Sequence, residues 1–153
     1  MRGGVTVGRI VKSHQLLFGP GVIQAYELEK RIQWPVIAID KSVIDELGTN
    51  PGLDYFQSGD EEQAVRSCLR RDKHTGLEFL DYLSVAHGEM AADEFKQFLQ
   101  AHSDMIVGRL RQHQGNYKVQ IKYEWLKSYH EMSCRTLPLS REARPNRSEI
   151  IPL

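Results

Sequence analysis

The chain has 153 residues, of which 41% are apolar and 26% charged, and its formal net charge is +0. Such a balance suits one globular domain with a real core. It excludes a global field that would draw in nucleic acid or an anionic membrane, and no run approaches the roughly 20 apolar residues of a membrane span.

The first elements are short. Val5, Val7, Ile10 and Val11 alternate as a half-buried strand with a bend near Gly8. SHQ turns the chain and LLF returns it, so residues 4 to 18 read as a hairpin with an imperfect ladder. After Gly19-Pro20-Gly21 the period becomes helical: Val22, Ala25, Leu28 and Ile32 share a stripe, while Ile23, Glu27 and Lys30 lie opposite. Trp34-Pro35 stops this helix. VIAI, residues 36 to 39, is a continuous apolar run expected of a strand covered on both faces. Asp40 or Ser42 can cap a following short helix, Gly48 can close it, and TNPG at 49 to 52 is a turn.

SCLR and LEFLDYL flank the polar loop RDKHTG and suggest a second hairpin over residues 67 to 83. GEMAADEFKQFLQAHSDMIVGRLRQH predicts a long helix with Phe95, Phe98, Leu99, His102, Met105, Ile106 and Leu110 on one stripe. Beyond the Gly115-Asn116 turn, Val119, Tyr123, Leu126 and Tyr129 or His130 form a second stripe, so an antiparallel helix pair is expected. From Arg135 the period is lost among prolines and arginines, as in a loosely held tail. Cys68 and Cys134 fit no metal or disulfide spacing. With no long apolar leader in MRGGVTVGRI, they read as reduced thiols of a cytoplasmic protein.

RGGVTVG, then FGPGVIQAYELE, then WPVIAID resembles the second half of a class III nucleotide cyclase catalytic domain. TGLEFLDYL and IKYEWLKSYH are similar to the C-terminal extension of a bacterial branch of such proteins, some of them associated with phage defence and pyrimidine cyclic nucleotides. The resemblance covers most of residues 2 to 134 and rests on the order and spacing of these segments. It implies an α+β fold: a partial ferredoxin-like, cyclase-type sheet in residues 1–60 and a hairpin and helical-pair extension in 61–134, with residues 135–153 left as the flexible tail that the lost period indicates. It also implies a reaction in which two divalent ions, held by two carboxylates, activate a ribose hydroxyl and bind a triphosphate. An Asn and an Arg then stabilise the transition state at a site between two domains.

Carried over by position, those roles meet altered residues. The metal carboxylates belong to a half that would precede Arg2, the Asn position holds Ile23, the Arg position Glu27 and the base-selecting Asp position Leu16. No catalytic and no metal-ligating residue is therefore assigned. Leu16, Phe18, Gly19, Ile23, Gln24 and Glu27 are the nucleotide-pocket candidates; Gln24 offers an amide that can read a base edge, and Glu27 would repel anionic oxygens. No cofactor is expected on this chain alone, with Mg or Mn entering only if the missing half is supplied. The chain is expected to be a truncated or split form of a longer protein, partnered by that half or by a second copy. A nucleoside triphosphate is a possible ligand; nucleic acid and membrane are not expected.

Two functions follow: the C-terminal part of a nucleotide cyclase-like protein, inactive alone, or a non-catalytic cyclase-like module that binds a nucleotide or a protein. Some features keep two readings of their own. The Gly-Pro-Gly turn either cradles phosphate or only reverses the chain, with Pro20 lacking one amide donor. Ile23 on an outward face is either a subunit contact or a scattered surface residue. Tyr123, Trp125 and Tyr129 among lysines are either core or an RNA-facing cluster. His102 and His113 lie too far apart to share an ion, and the histidines define no metal site.

Overall fold

The structure is a computed structural model describing residues 2–49, 60–73 and 75–138. The fold is mixed α/β, as the sequence leads one to expect. Among the described residues there are six helices, a four-stranded mixed sheet and a two-stranded sheet.

Strand β1 (Gly3–Val5) leads through β2 (Val11–Lys12) and β3 (Leu17–Phe18) into helix α1 (Pro20–Arg31), followed by β4 (Ile37–Ile39) and α2 (Lys41–Thr49). The large sheet has the order β1-β4-β6-β5, with β5 at Leu69–Arg71 and β6 at Glu78–Leu80. β1 pairs parallel with β4 in the register Gly4↔Ala38, and β4 and β5 each pair antiparallel with β6. Residues 4 to 18 are therefore not one hairpin. Only Val11–Lys12 and Leu17–Phe18 pair with each other, while Gly3–Val5 belongs to the other sheet. A parallel partner 30 or more residues away leaves no local mark, so alternation alone assigned β1 to its neighbour.

Gly4 has a specific reason to be glycine. A Cβ there would sit 2.5 Å from the Ala25 carbonyl oxygen, so α1 crosses β1 with its backbone nearly in contact. The stop at Trp34-Pro35 is consistent with α1 ending at Arg31 and Ile32 turning extended. Asp40 caps α2: its carboxylate accepts the Ser42 amide at 2.9 Å, and the Ser42 side chain first, then this amide, hold its pKa below the usual value. The helix runs through Gly48 to Thr49. The remainder of the TNPG turn, His74 and the tail beyond Pro138 lie outside the described residues.

Helix α3 (Asp60–Ser67) precedes β5. The second hairpin exists, but LEFLDYL does not stay extended. β6 ends at Leu80, and Asp81 caps α4 (Tyr82–Glu89). Helices α5 (Ala92–Gln112) and α6 (Tyr117–Thr136) pack together, joined by a turn in which Gly115 has φ +88. Helix α6 thus includes Arg135, and Leu137 still packs against the core.

That core joins sheet and helices. Ile32, Val36, Ala38 and Phe79 meet Leu83, Phe95, Leu99, Ile106, Leu126 and Tyr129. Trp34 stacks on Trp125 of α6 at 6.0 Å, and Trp125 stacks in turn on Tyr129 at 5.6 Å. The aromatic cluster of α6 is core packing: Tyr129 is buried, and Tyr123 and Trp125 are half-buried against the same residues. Each large side chain buried here contributes on the order of 1.5–3 kcal/mol.

Candidate functional site

The six pocket candidates are spread over the small sheet, the turn after it and helix α1, with Glu27 in the helix's second half beside Arg31. Leu16 is 67% exposed, Phe18 54% and Ile23 58%. Val7, Ile10, Val11, Leu17 and Tyr26 are also exposed, and Val11 lies directly opposite Phe18 in the ladder. Residues 7 to 26 thus present a dense set of uncovered apolar side chains. Single exposed apolar residues are ordinary, but a cluster of this kind marks a contact surface.

Gly8 and Gly21 bring this unit onto α1. A Cβ on Gly8 would lie 2.6 Å from the Gly21 Cα, with the Gln24 side-chain oxygen also close at 3.1 Å. Gly19, at φ +134, would set a Cβ 2.6 Å from the Arg9 carbonyl oxygen. The amides at the start of α1 are all committed. Gly21 donates to Arg9 O at 3.1 Å, Val22 and Ile23 both donate to Gly19 O, and Pro20 has no amide hydrogen. An anion cradle needs free donors at this point. The geometry therefore favours the packing reading of the Gly-Pro-Gly turn: it reverses the chain and lets two backbones touch. Glu27 pairs with Arg31 at 3.8 Å on the exposed side of the helix.

No family model, curated protein or solved structure matches the chain.

Two polar clusters lie elsewhere. Asp81 is 5% exposed and its carboxylate meets Arg70 Nε at 2.7 Å. The same carboxylate accepts the Tyr129 hydroxyl at 2.6 Å and the Ser84 amide at 3.3 Å. Tyr129 in turn accepts the Leu83 amide, and the Arg70 guanidinium stands 5.0 Å from its ring centre. Arg70 Nη1 is buried and has no partner among the described residues. Burial first, and then the Asp81 contact, push the Tyr129 hydroxyl pKa far up, so this group remains a donor at any ordinary pH. The second cluster runs Tyr82, His102, His130, Cys134: Tyr82 OH to His102 Nε2 is 2.6 Å, His102 Nδ1 to His130 Nδ1 is 3.0 Å, and His130 Nε2 to Cys134 Sγ is 3.5 Å.

The second cluster escaped the sequence reading as a unit, although both stripes contained its histidines. Antiparallel packing of α5 on α6 is what brings 102 opposite 130. Burial raises the Cys134 thiol pKa and lowers that of His130, which favours neutral thiol and neutral imidazole over thiolate and imidazolium. Among the described residues, no group of three or more His, Cys, Asp or Glu side chains could hold a metal ion. A cleft of about 820 Å³ lies between α1, α2 and the β5–β6 hairpin, with Leu28, Ile32, Ile39 and Ile44 among charges of both signs. Among the described residues, no helix is long and apolar enough to cross a membrane.

Proposed function

We propose that this chain is the C-terminal part of a nucleotide cyclase-like protein, built on a partial ferredoxin-like sheet. It makes no cyclic nucleotide by itself and works in an assembly through the apolar face of its β2–β3 hairpin and α1. The exposure of Leu16, Phe18 and Ile23 together carries this reading. These are residues the cyclase resemblance puts at a domain boundary. The order of strand, hairpin, glycine-started helix and strand agrees with that resemblance. So does the position of β1 at the end of the sheet, with an outer edge that no strand among the described residues covers.

In such an assembly the chemistry needs two metal-holding carboxylates from another polypeptide segment. Ile23 cannot hydrogen-bond a phosphoryl oxygen, and Glu27, already beside Arg31, adds negative charge where positive charge is required. The committed amides at the start of α1 favour the second reading, a non-catalytic cyclase-like module that binds a protein partner or a nucleotide.

The test is incubation of the purified chain with each nucleoside triphosphate and manganese, followed by chromatography of the products. No cyclic mononucleotide is expected from any of them. A cyclic product from the chain alone overturns the proposal.

A further inference from the structure

Helices α4, α5 and α6 bring four titratable side chains into one row, Tyr82–His102–His130–Cys134. The central contact joins like atoms, Nδ1 to Nδ1, at 3.0 Å. Such a contact holds only if one nitrogen carries a proton and the other does not. With both rings neutral the row closes in either direction. Tyr82 can donate to His102, His102 to His130 and His130 to the Cys134 sulfur, or every donor can reverse. One added proton leaves the hydrogen bonds intact, because a protonated His102 donates to both neighbours, but it places a charged ring against Phe98 in a half-buried site that disfavours the charge. Two added protons set N–H against N–H and imidazolium against imidazolium.

We propose that the His102–His130 pair is an acid-sensitive latch: as neutral rings it holds α5 to α6, and its protonation in mildly acid solution releases α6.

The surroundings give protonation little compensation. From α4 comes the Tyr82 hydroxyl, adjacent in sequence to an Asp81 carboxylate already engaged by Arg70 and Tyr129. From α5 comes Phe98, stacked on the His102 ring at 6.3 Å. On α6, Glu131 is the nearby anion that favours charged His130, and it shares Lys127 at 3.9 Å. Arg135 lies along the same cleft. That cleft, about 380 Å³ between α5 and α6, is lined by His130, Glu131 and Cys134 and gives protons a route to the pair. Burial, and secondarily His130, lower the His102 pKa to about 4; burial also lowers that of His130.

A histidine with a lowered native pKa favours the folded form above its unfolded value of about 6.5. That preference is lost as pH falls from about 6.5 towards the native value near 4. At pH 5.5, His102 alone then shifts the balance between closed and open forms by about tenfold relative to pH 7.5.

Hydrogen exchange on the full chain at pH 7.5 and 5.5, corrected for intrinsic exchange, reads this directly. Protection in α5 and α6 is expected to fall about tenfold on acidification, with β4 and α1 changing much less. In His102→Phe, whose ring can keep the stacking on Phe98, most of that loss should vanish. Equal loss in wild type and variant overturns the latch, as does no loss in wild type. If the variant does not fold, NMR titration of the wild-type ring protons decides. Midpoints below 6 for both rings support the latch, and a midpoint at or above 6 for either ring overturns it.

Discussion

At Asp81 one buried carboxylate ties three elements together: Arg70 on β5, Tyr129 on α6 and the first turn of α4 through Ser84. Removing one partner of a buried pair leaves the other charge uncompensated, which costs about 3–5 kcal/mol. Asp81→Ala should lose about that much in urea unfolding. Asp81→Asn should lose less, because its amide oxygen still accepts from Tyr129 or Ser84. A loss below about 1 kcal/mol in the alanine variant would mean that the cluster contributes little, as exposed pairs do. Nothing in the local residue pattern announces this role. DYLSVAHGE has no polar face to betray a helix, so Asp81 reads as the middle of a strand. Its capping function depends on Ser84 only once the helix exists. Asp40 is the contrasting case: its place before a helix, with Ser42 two residues on, was readable from turn chemistry.

Among the elements, those with a long period were legible and those set by distant partners were not. The stripes of α5 and α6 contain Phe95, Leu99, Ile106, Leu126 and Tyr129, all buried in the structure, because a 3.6-residue period reports directly on one covered face. Met105, also on the α5 stripe, is 41% exposed, since the partner helix covers less than the whole stripe. VIAI was equally readable as a middle strand, since β4 is flanked by β1 and β6, but it is not covered on both faces: Val36 and Ala38 are buried while Ile37 and Ile39 are only half-buried. The pairing of β1 with β4 was not readable, because it depends on α1 crossing close over Gly4. That crossing predicts a clean contrast. Gly4→Ala forces a methyl group against the Ala25 carbonyl, a backbone atom that cannot rotate away, and should cost about 1–3 kcal/mol. At Gly3 nothing lies within 4 Å of an added Cβ, so Gly3→Ala should be near neutral by the same unfolding measurement. Similar losses at both positions would contradict the close crossing.

Over the whole molecule, apolar surface is distributed unevenly. One core runs from Ile32 to Tyr129 and joins the sheet to the helix pair. The hairpin end, by contrast, exposes Ile10, Val11, Leu16, Leu17, Phe18 and Ile23, each by more than half. The sequence already marked Ile23 as facing away from the α1 stripe. It could not indicate that the hairpin residues would be exposed around it, since their alternation reads as half-buried whatever covers them. We expect this face to be covered in solution by a second copy of the chain. Sedimentation velocity across a range of concentrations tests it most directly, on wild type and on a Phe18→Asp, Ile23→Asp double variant. Wild type should self-associate reversibly, and the double variant should lose this while keeping its thermal midpoint. A wild-type chain that remains monomeric at every concentration, with the variant sedimenting identically, would contradict it.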